Sequence, residues 1–142
     1  MEEVISRRKF RARMLTIGVS GAIAVALGAL GAHALKAQAA SGNITQDQLS
    51  GFDTGVRYQV YHTLGMLLVV LICLHMNNRL LRWAYDLFLT GICFFSGSLY
   101  LLCTRGITGA DWLSFLGPVT PLGGLCFVAG WLCLGFSALK KG

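Results

Sequence analysis

Four long apolar stretches constrain this chain most strongly, because each is long enough to cross a bilayer as a helix. A transmembrane helix needs about 20 consecutive, mostly apolar residues. Stretches that meet this requirement run from Leu15 to Leu35, from Tyr58 to Met76, from Trp83 to Cys103 and from Val119 to Leu139. The composition, with 55% hydrophobic and 13% charged residues, is too apolar for a soluble domain of 142 residues. The sequence therefore predicts an integral membrane protein.

The apolar stretches are continuous rather than alternating, which favours helices over the strands of a membrane barrel. No connecting segment is long enough to separate two domains. We therefore predict an all-α fold, a four-helix transmembrane bundle that forms one domain over residues 1–142, with residues 1–13 as a basic head. In the first loop we expect Thr45 to cap a short helix that ends in a turn at Gly51.

The placement of lysine and arginine predicts the orientation, because cytoplasmic segments carry an excess of both. Three of the 12 basic residues lie on one side of the predicted spans, namely Lys36, Arg57 and Arg105. The other nine lie on the opposite side and are Arg7, Arg8, Lys9, Arg11, Arg13, Arg79, Arg82, Lys140 and Lys141. We therefore expect both termini in the cytoplasm. This bias and attraction to anionic lipids account for the net charge of +6 without a nucleic-acid partner.

Residues 6–40, "SRRKFRARMLTIGVSGAIAVALGALGAHALKAQAA", also have the features of a twin-arginine export signal, with Ala37-Gln38-Ala39 as a cleavage site. The apolar region of a signal usually has about 7 to 15 residues, whereas the uncharged stretch from Met14 to Leu35 is longer. Its length favours a retained first span. The alternative is cleavage after Ala39, which would leave three spans.

Four strings in this order carry a resemblance to a known family: "GALGAHALK" at 28–36, "FDTGVRYQVYHTLGML" at 52–67, "FSGSLYLL" at 95–102 and "VTPLGGLCFVAGW" at 119–131. Together they resemble the YgdD-like family of small bacterial inner-membrane proteins, a family of unknown function. The resemblance runs from about Gly28 to the end of the chain, and the long basic extension before it departs from the family. It implies a retained first helix and a bacterial inner-membrane location, and it implies no activity.

Small residues recur at helical spacing in the first predicted span, at Gly21, Ala24, Gly28 and Gly31. Such a stripe lets another helix approach closely. A ligand groove is the other interpretation of the stripe. Further packing glycines are predicted in the later spans, at Gly97, Gly123 and Gly124. The sequence thus favours a tight, narrow bundle over a wide aqueous pore.

The chemically richest segment is predicted at the outer start of the second span. Asp53 and Arg57 lie four residues apart, so we expect them to share a helix face and form an ion pair. Tyr58, Gln59 and His62 follow within one or two turns. One interpretation is an interfacial anchor in which His62 is hydrogen-bonded to a neighbouring helix. The other is a functional site, because His62 lies more than one turn inside the predicted boundary, where an unpartnered polar group is costly.

The predicted topology brings further polar residues from the other spans to the same end of the bundle. The resulting candidate cluster for polar contacts or ligand binding comprises His33, Asp53, Arg57, Tyr58, Gln59, His62, Ser96, Ser98 and Tyr100, with Thr120 and Pro121 beside it. We expect it to face the bundle interior at the extracytoplasmic side. It is either a hydrogen-bond network that fixes helix register or a small site for a ligand or lipid headgroup.

The absence of known catalytic and metal-binding motifs limits the functions that the sequence supports. It contains no nucleophile motif, no phosphate loop and no cysteine pair at metal-ligand spacing, so we predict no catalytic residue, metal site or cofactor. The first hypothesis is a structural, interaction or lipid-binding protein whose partners are membrane lipids, a larger membrane complex or further copies of the chain. The alternatives are a small oligomeric channel or carrier and, more weakly supported, a membrane enzyme with a lipidic substrate.

Overall fold

Four long helices make up the computed structural model, which describes residues 6–76 and 78–139. Helix α1 spans Arg7–Ala40, α2 spans Gln46–Ile72, α3 spans Arg79–Thr108 and α4 spans Val119–Ser137, and a 3-10 helix at Asp111–Leu116 precedes α4. One π-helical turn lies in α1 at Gly31–Leu35 and another in α3 at Ile92–Ser96. The predicted all-α class with four helices long and apolar enough to cross a membrane is confirmed.

Helix α2 begins at Gln46 and therefore extends well beyond the span predicted from Tyr58. Its start is fixed by a capping box, in which Thr45 Oγ1 accepts from the Gln48 backbone nitrogen at 3.1 Å and the Gln48 side chain accepts from the Thr45 backbone nitrogen at 2.8 Å. The predicted Thr45 cap is confirmed. The turn predicted at Gly51 is wrong, because this residue lies inside α2. A Cβ at Gly51 would lie 2.8 Å from Cys103 Sγ, so the glycine permits close packing against α3.

The other helix ends also follow local signals. Ser6 caps α1, where its hydroxyl accepts from the Lys9 backbone nitrogen at 3.4 Å, and Asn78 Oδ1 caps α3 by accepting from the Leu81 nitrogen at 3.1 Å. Helix α3 ends at Gly109, whose φ of 66° is the left-handed conformation that glycine adopts without strain. Helices α1 and α3 extend at both ends beyond the spans predicted from their apolar stretches.

Helix α2 lies at the centre of the bundle. In its most apolar 18-residue stretch, 50% of the residues are buried. The corresponding share is 33% for α3 and 17% for each of the two outer helices. Helix α1 packs on α2, and α4 packs mainly on α3. The fully buried core lies between α2 and α3 and includes Met66, Val69, Val70, Leu81 and Phe88. One face of α2 therefore remains open between α1 and α4.

Contacts at glycines define the register of neighbouring helices. Gly31 of α1 faces the Phe52 ring of α2, and a Cβ on the glycine would lie 3.3 Å from that ring. Gly65 of α2 and Gly130 of α4 both face the Phe88 ring of α3, at 3.1 and 2.7 Å. Each of these glycines admits an aromatic ring that a larger residue would exclude. At these helix contacts, each aromatic ring therefore packs against one or two glycines of the neighbouring helices.

The glycines predicted to mediate packing differ in how closely they are approached. A Cβ on Gly28 would lie 3.5 Å from Val56 and one on Gly21 would lie 4.0 Å from Thr63, which are ordinary contacts with α2. Gly123 is the tightest, since its Cβ would collide with the backbone nitrogen and Cα of Phe95. A Cβ on Gly124 would lie 3.8 Å from the Phe95 ring, and one on Gly97 would lie 4.0 Å from a carbonyl oxygen of its own helix.

We expect Gly123→Ala to destabilise the protein by about 1 to 3 kcal/mol, the usual cost of overpacking a close contact. The added methyl group meets the backbone of α3, which cannot rotate away as a side chain can. The measurement is the free energy of unfolding in mixed micelles of SDS and a mild detergent. Gly124→Ala is the matched control, and we expect it to be neutral or slightly stabilising because alanine favours helix. Equal stability of the two variants would contradict the α3–α4 register described above.

Candidate functional site

Gln59 is the hub of a buried hydrogen-bond network that joins α1, α2 and α3. Its amide nitrogen donates to the Ser20 carbonyl oxygen of α1 at 2.9 Å, and its amide oxygen accepts from the Tyr100 hydroxyl of α3 at 2.7 Å. Beside it, the hydroxyl oxygens of Ser20 and Thr63 lie 2.7 Å apart. Gln59 is 4% exposed, and an unpaired amide would be costly there. The network therefore ties three helices to one register.

His62 links α2 to α4. Its Nδ1 lies 2.7 Å from the Tyr58 carbonyl oxygen, and its Nε2 accepts from the Trp131 indole N–H at 3.2 Å. Because a carbonyl only accepts and an indole N–H only donates, this pattern requires a neutral imidazole with its proton on Nδ1. The Phe127 ring stacks on the imidazole with centroids 3.4 Å apart. Both ring nitrogens are thus engaged, which leaves none for a metal or a haem iron.

The predicted serines of α3 lie at its contacts with the neighbouring helices. Ser98 Oγ lies 2.6 Å from Thr120 Oγ1 and joins α3 to α4. Ser96 ends the π-helical turn and is fully buried, and its hydroxyl has no hydrogen-bond partner among the described residues. The structure therefore brings Gln59, His62, Ser98 and Tyr100 into hydrogen bonds between helices.

The network lies near the middle of the bundle. Gln59 is the central residue of the 27-residue α2, which measures about 40 Å at 1.5 Å per residue. A helix that starts at Tyr58, as the apolar stretch predicts, would have Gln59 and His62 near its extracytoplasmic end. Since α2 begins at Gln46, more than three turns precede Gln59.

The charged members of the predicted cluster remain on the surface. Arg57 Nε donates to Asp53 Oδ2 at 2.9 Å, so the ion pair predicted from their spacing is present, with both side chains more than half exposed. Both guanidinium contacts go to Oδ2, and no donor among the described residues contacts Oδ1. His33 of α1 is exposed and does not join the buried network. The predicted cluster thus divides into a buried network and a surface ion pair.

A cleft of about 360 Å³ lies between α1 and the first turns of α2. We call it the α1–α2 cleft. It is lined by Gly28, Gly31, Ala32, Lys36, Gln46, Leu49, Ser50, Phe52, Asp53 and Val56. Its lining combines two charged residues, Lys36 and Asp53, with neutral polar and apolar side chains of α2 and small residues of α1.

A second and larger cavity, of about 650 Å³, lies between α2 and α4, and we call it the α2–α4 groove. Tyr58 and Tyr61 line it on the α2 side, and Leu125, Phe127 and Val128 line it on the α4 side. Trp131 also lines it. The groove is open toward the surface that lipid would cover. No charged residue lines it.

Sequence reasoning missed several residues of these sites. Ser20 carried no motif, although it lies four residues before Ala24 and so continues the small-residue stripe of α1. Lys36 was used only to assign orientation. Trp131 gave no signal, because its link to His62 joins residues 69 positions apart.

Other reactive side chains are dispersed. The five cysteines are all free, and no group of three or more His, Cys, Asp or Glu within residues 6–76 and 78–139 has the geometry of a metal site. Asp86 is exposed on α3 near its start. These residues do not add a second chemical centre.

Comparison with known proteins gives matches over most of the chain. A family described as "Protein of unknown function (DUF423)" matches residues 27–124. A UPF0382 membrane protein of Haemophilus influenzae is 37% identical over 125 residues, which cover 88% of this chain and 91% of that protein. The UPF0382 membrane protein YwdK of Bacillus subtilis is 37% identical over 123 residues, which cover 86% and 91%.

A UPF0382 membrane protein of Schizosaccharomyces pombe is 34% identical over 113 residues, which cover 80% of this chain and 89% of that protein. No solved structure matches. The matches agree with the resemblance to a membrane family of unknown function, and they do not confirm the narrower label YgdD-like. Because a yeast protein is among the relatives, they also do not establish a bacterial inner-membrane location.

We expect Tyr100→Phe and Gln59→Leu to lower the free energy of unfolding non-additively. Each variant removes the same hydrogen bond, and their coupling in a double-mutant cycle should be about 0.6 to 1.7 kcal/mol, as for other hydrogen bonds between membrane helices. Unfolding in SDS mixed micelles measures all four proteins. Full additivity would mean that the bond between Tyr100 and Gln59 is absent.

We expect solid-state NMR of ¹⁵N-histidine-labelled protein in bilayers at neutral pH to show His62 as the neutral imidazole protonated at Nδ1. Trp131→Phe removes the indole donor, so it should shift the Nε2 resonance and leave the Nδ1 resonance nearly unchanged. His62→Gln assigns the signals. An Nε2-protonated or doubly protonated ring would contradict the two hydrogen bonds described for His62.

Proposed function

Since this chain belongs to the DUF423 family of UPF0382 membrane proteins, whose function is unknown, we propose that it is a non-catalytic membrane protein that binds a phospholipid. The proposal is carried by one observation, the presence of both charged and apolar lining residues in the α1–α2 cleft. A phospholipid combines the same kinds of group, since a charged headgroup joins two apolar chains. The helices hold the cleft in place through the Gln59 network.

The apolar lining residues of the cleft provide a surface that suits an acyl chain. Gly28 and Gly31 leave the α1 surface without side chains, and Leu49, Phe52 and Val56 of α2 provide apolar surface. Phe52 is 2% exposed and its ring packs against the Tyr100 ring with centroids 4.9 Å apart, so the floor of the cleft is rigid. A chain lying there exchanges contact with lipid for contact with fixed protein atoms, which favours binding through packing.

The cleft also contains one positive and one negative side chain. Lys36 offers an ammonium group to a phosphate, and Asp53 offers Oδ1, which the Arg57 contacts leave available. Gln46 and Ser50 add neutral hydrogen-bonding groups. A zwitterionic headgroup with a phosphate and a primary ammonium matches both charges at once. We therefore infer that phosphoethanolamine is the preferred headgroup.

The proposal includes the location. The distribution of lysine and arginine supports an orientation with both termini in the cytoplasm, and the bacterial relatives support a bacterial inner membrane. In that orientation Lys36 and Asp53 lie at the extracytoplasmic side, and the bound phospholipid belongs to the outer leaflet. Lipids are thus the first partners, and self-association or a larger complex would add to them.

The other functional classes have less support. A channel or carrier needs a polar path, whereas the polar groups of Gln59 and His62 are paired with neighbouring helices and the Phe88 and Phe127 rings pack against the His62 ring. An enzyme needs an available base or nucleophile. His62 has both nitrogens engaged and therefore offers neither.

We expect native mass spectrometry of the full chain in a mild detergent to show one retained phospholipid, with phosphatidylethanolamine preferred over phosphatidylglycerol and phosphatidylcholine in titrations. Ala32→Trp fills the cleft from an exposed position and should lower the affinity about tenfold or more. Ala29→Trp is the matched control, because Ala29 is exposed on the same helix and does not line the cleft. Equal lipid retention by the two variants would refute the proposed site.

Lys36→Gln tests the headgroup contact separately. We expect it to weaken phospholipid binding about two- to fivefold, the effect of losing an exposed ion pair of about 0.5 to 1 kcal/mol. Arg105→Gln removes a basic residue at the end of α3 that does not line the cleft, and it should have no such effect. A loss common to both variants would indicate a general surface-charge effect instead of a site.

A further inference from the structure

The α2–α4 groove has a chemistry different from that of the α1–α2 cleft, and it calls for a different ligand. Its volume of about 650 Å³ lies within the range of about 300 to 1,000 Å³ that is usual for small-molecule sites. No charged residue lines it, so a phosphate or an ammonium group would find no opposite charge there. Its occupant is therefore expected to be uncharged.

Two phenol groups on the α2 side of the groove, those of Tyr58 and Tyr61, make no hydrogen bond with the described residues. Arg57 lies close enough to the Tyr61 phenol to interact with it electrostatically, without a hydrogen bond. Tyr58 adjoins the central residue of α2, and its side chain is 39% exposed, so its hydroxyl lies well inside the helix ends. A hydroxyl in hydrocarbon is costly unless it is paired. The two hydroxyls are therefore suited to donate to acceptor oxygens on a ligand.

The rings that line the groove are held in fixed orientations. Tyr58 stacks on Phe95 with centroids 4.6 Å apart, and Phe127 stacks on His62 at 3.4 Å. Trp131 is held by its N–H bond to His62 Nε2 and by the neighbouring Phe88 ring, with centroids 5.0 Å apart. Trp131 remains 45% exposed. Fixed and partly exposed ring faces favour a flat ligand, since offset stacking adds energy that a saturated chain does not gain.

We propose that the α2–α4 groove binds the ring of a membrane quinone. This ligand is uncharged and planar, and its carbonyl oxygens accept hydrogen bonds from the Tyr58 and Tyr61 hydroxyls. Its tail extends through the open side of the groove into the lipid, along Leu125 and Val128. The site is independent of the α1–α2 cleft, and the proposal concerns binding without electron transfer. An ester carbonyl of an ordinary phospholipid has the same acceptor chemistry, so the test must separate the two.

The test uses Trp131 as the reporter, because a quinone in contact with an indole quenches its fluorescence. Trp83→Phe and Trp112→Phe leave Trp131 as the sole tryptophan of the full chain, which is placed in quinone-free nanodiscs. Titration with a short-chain ubiquinone or menaquinone should quench Trp131 along a saturating curve. A second protein, with Trp131→Phe and Trp112→Phe, keeps Trp83 as the control. It should show only the weak, linear quenching of a quinone dissolved in lipid.

Two variants of the sole-Trp131 protein test the contacts. Tyr58→Phe combined with Tyr61→Phe keeps the rings and removes both hydroxyls, and it should weaken binding about tenfold. Val128→Phe narrows the groove and should also weaken binding, whereas Val25→Phe on the exposed face of α1 should not. Unchanged thermal unfolding of each variant excludes a folding defect as the cause.

Two results would overturn the proposal. The first is linear quenching of Trp131 with the slope found for Trp83. The second is saturable quenching of equal strength in the Tyr58→Phe, Tyr61→Phe protein and in Val128→Phe, which would mean that the quinone binds outside the groove. Neither result bears on phosphatidylethanolamine binding to the α1–α2 cleft, which mass spectrometry measures on separate variants.

Discussion

The two hydrogen bonds of the Gln59 side chain are the constraint on which the rest of the structure depends. A hydrocarbon environment offers no water to replace a lost partner, so a buried amide is stable only where both of its ends are paired. Ser20 on one side and Tyr100 on the other meet this requirement in a single register of α1, α2 and α3. The bond between His62 and Trp131 places the same requirement on α4. Apolar contacts alone discriminate weakly between registers in lipid, because lipid tails provide similar contacts.

This register accounts for the packing and also for the two cavities. Gly65 and Gly130 admit Phe88 from opposite sides, and Gly123 lets α4 approach the α3 backbone, so the three later helices form a dense unit. Helices α1 and α4 then lie apart, with a face of α2 open between them. The α1–α2 cleft borders this face near Asp53, and the α2–α4 groove borders it at Tyr58 and Tyr61. The two proposed ligands differ because the cleft is charged and the groove is not.

The features that could be predicted from the sequence are those set within one stretch of chain. The number of helices follows from apolar length, the Thr45 cap from a capping box of four residues, and the Asp53–Arg57 pair from their spacing of four. The turn expected at Gly51 failed for a related reason. A glycine inside a helix resembles a helix end unless the neighbour it accommodates is known, and here that neighbour is Cys103. Similarly, His33 and His62 look alike in the sequence, yet one is exposed and the other is stacked on Phe127.

The sequence by itself thus determined a membrane protein with four helices and the polar residues from which a site could be built. Only the tertiary structure decided which of those residues are paired, because the partners of Gln59 lie about 40 positions away on either side along the chain and Trp131 lies 69 positions from His62. It also decided where cavities remain, since a cavity exists between helices and has no counterpart in a single helix. The physical reason is the same in both cases. Apolar length and helix spacing are properties of a segment, whereas hydrogen-bond pairing and packing are properties of the contact between segments.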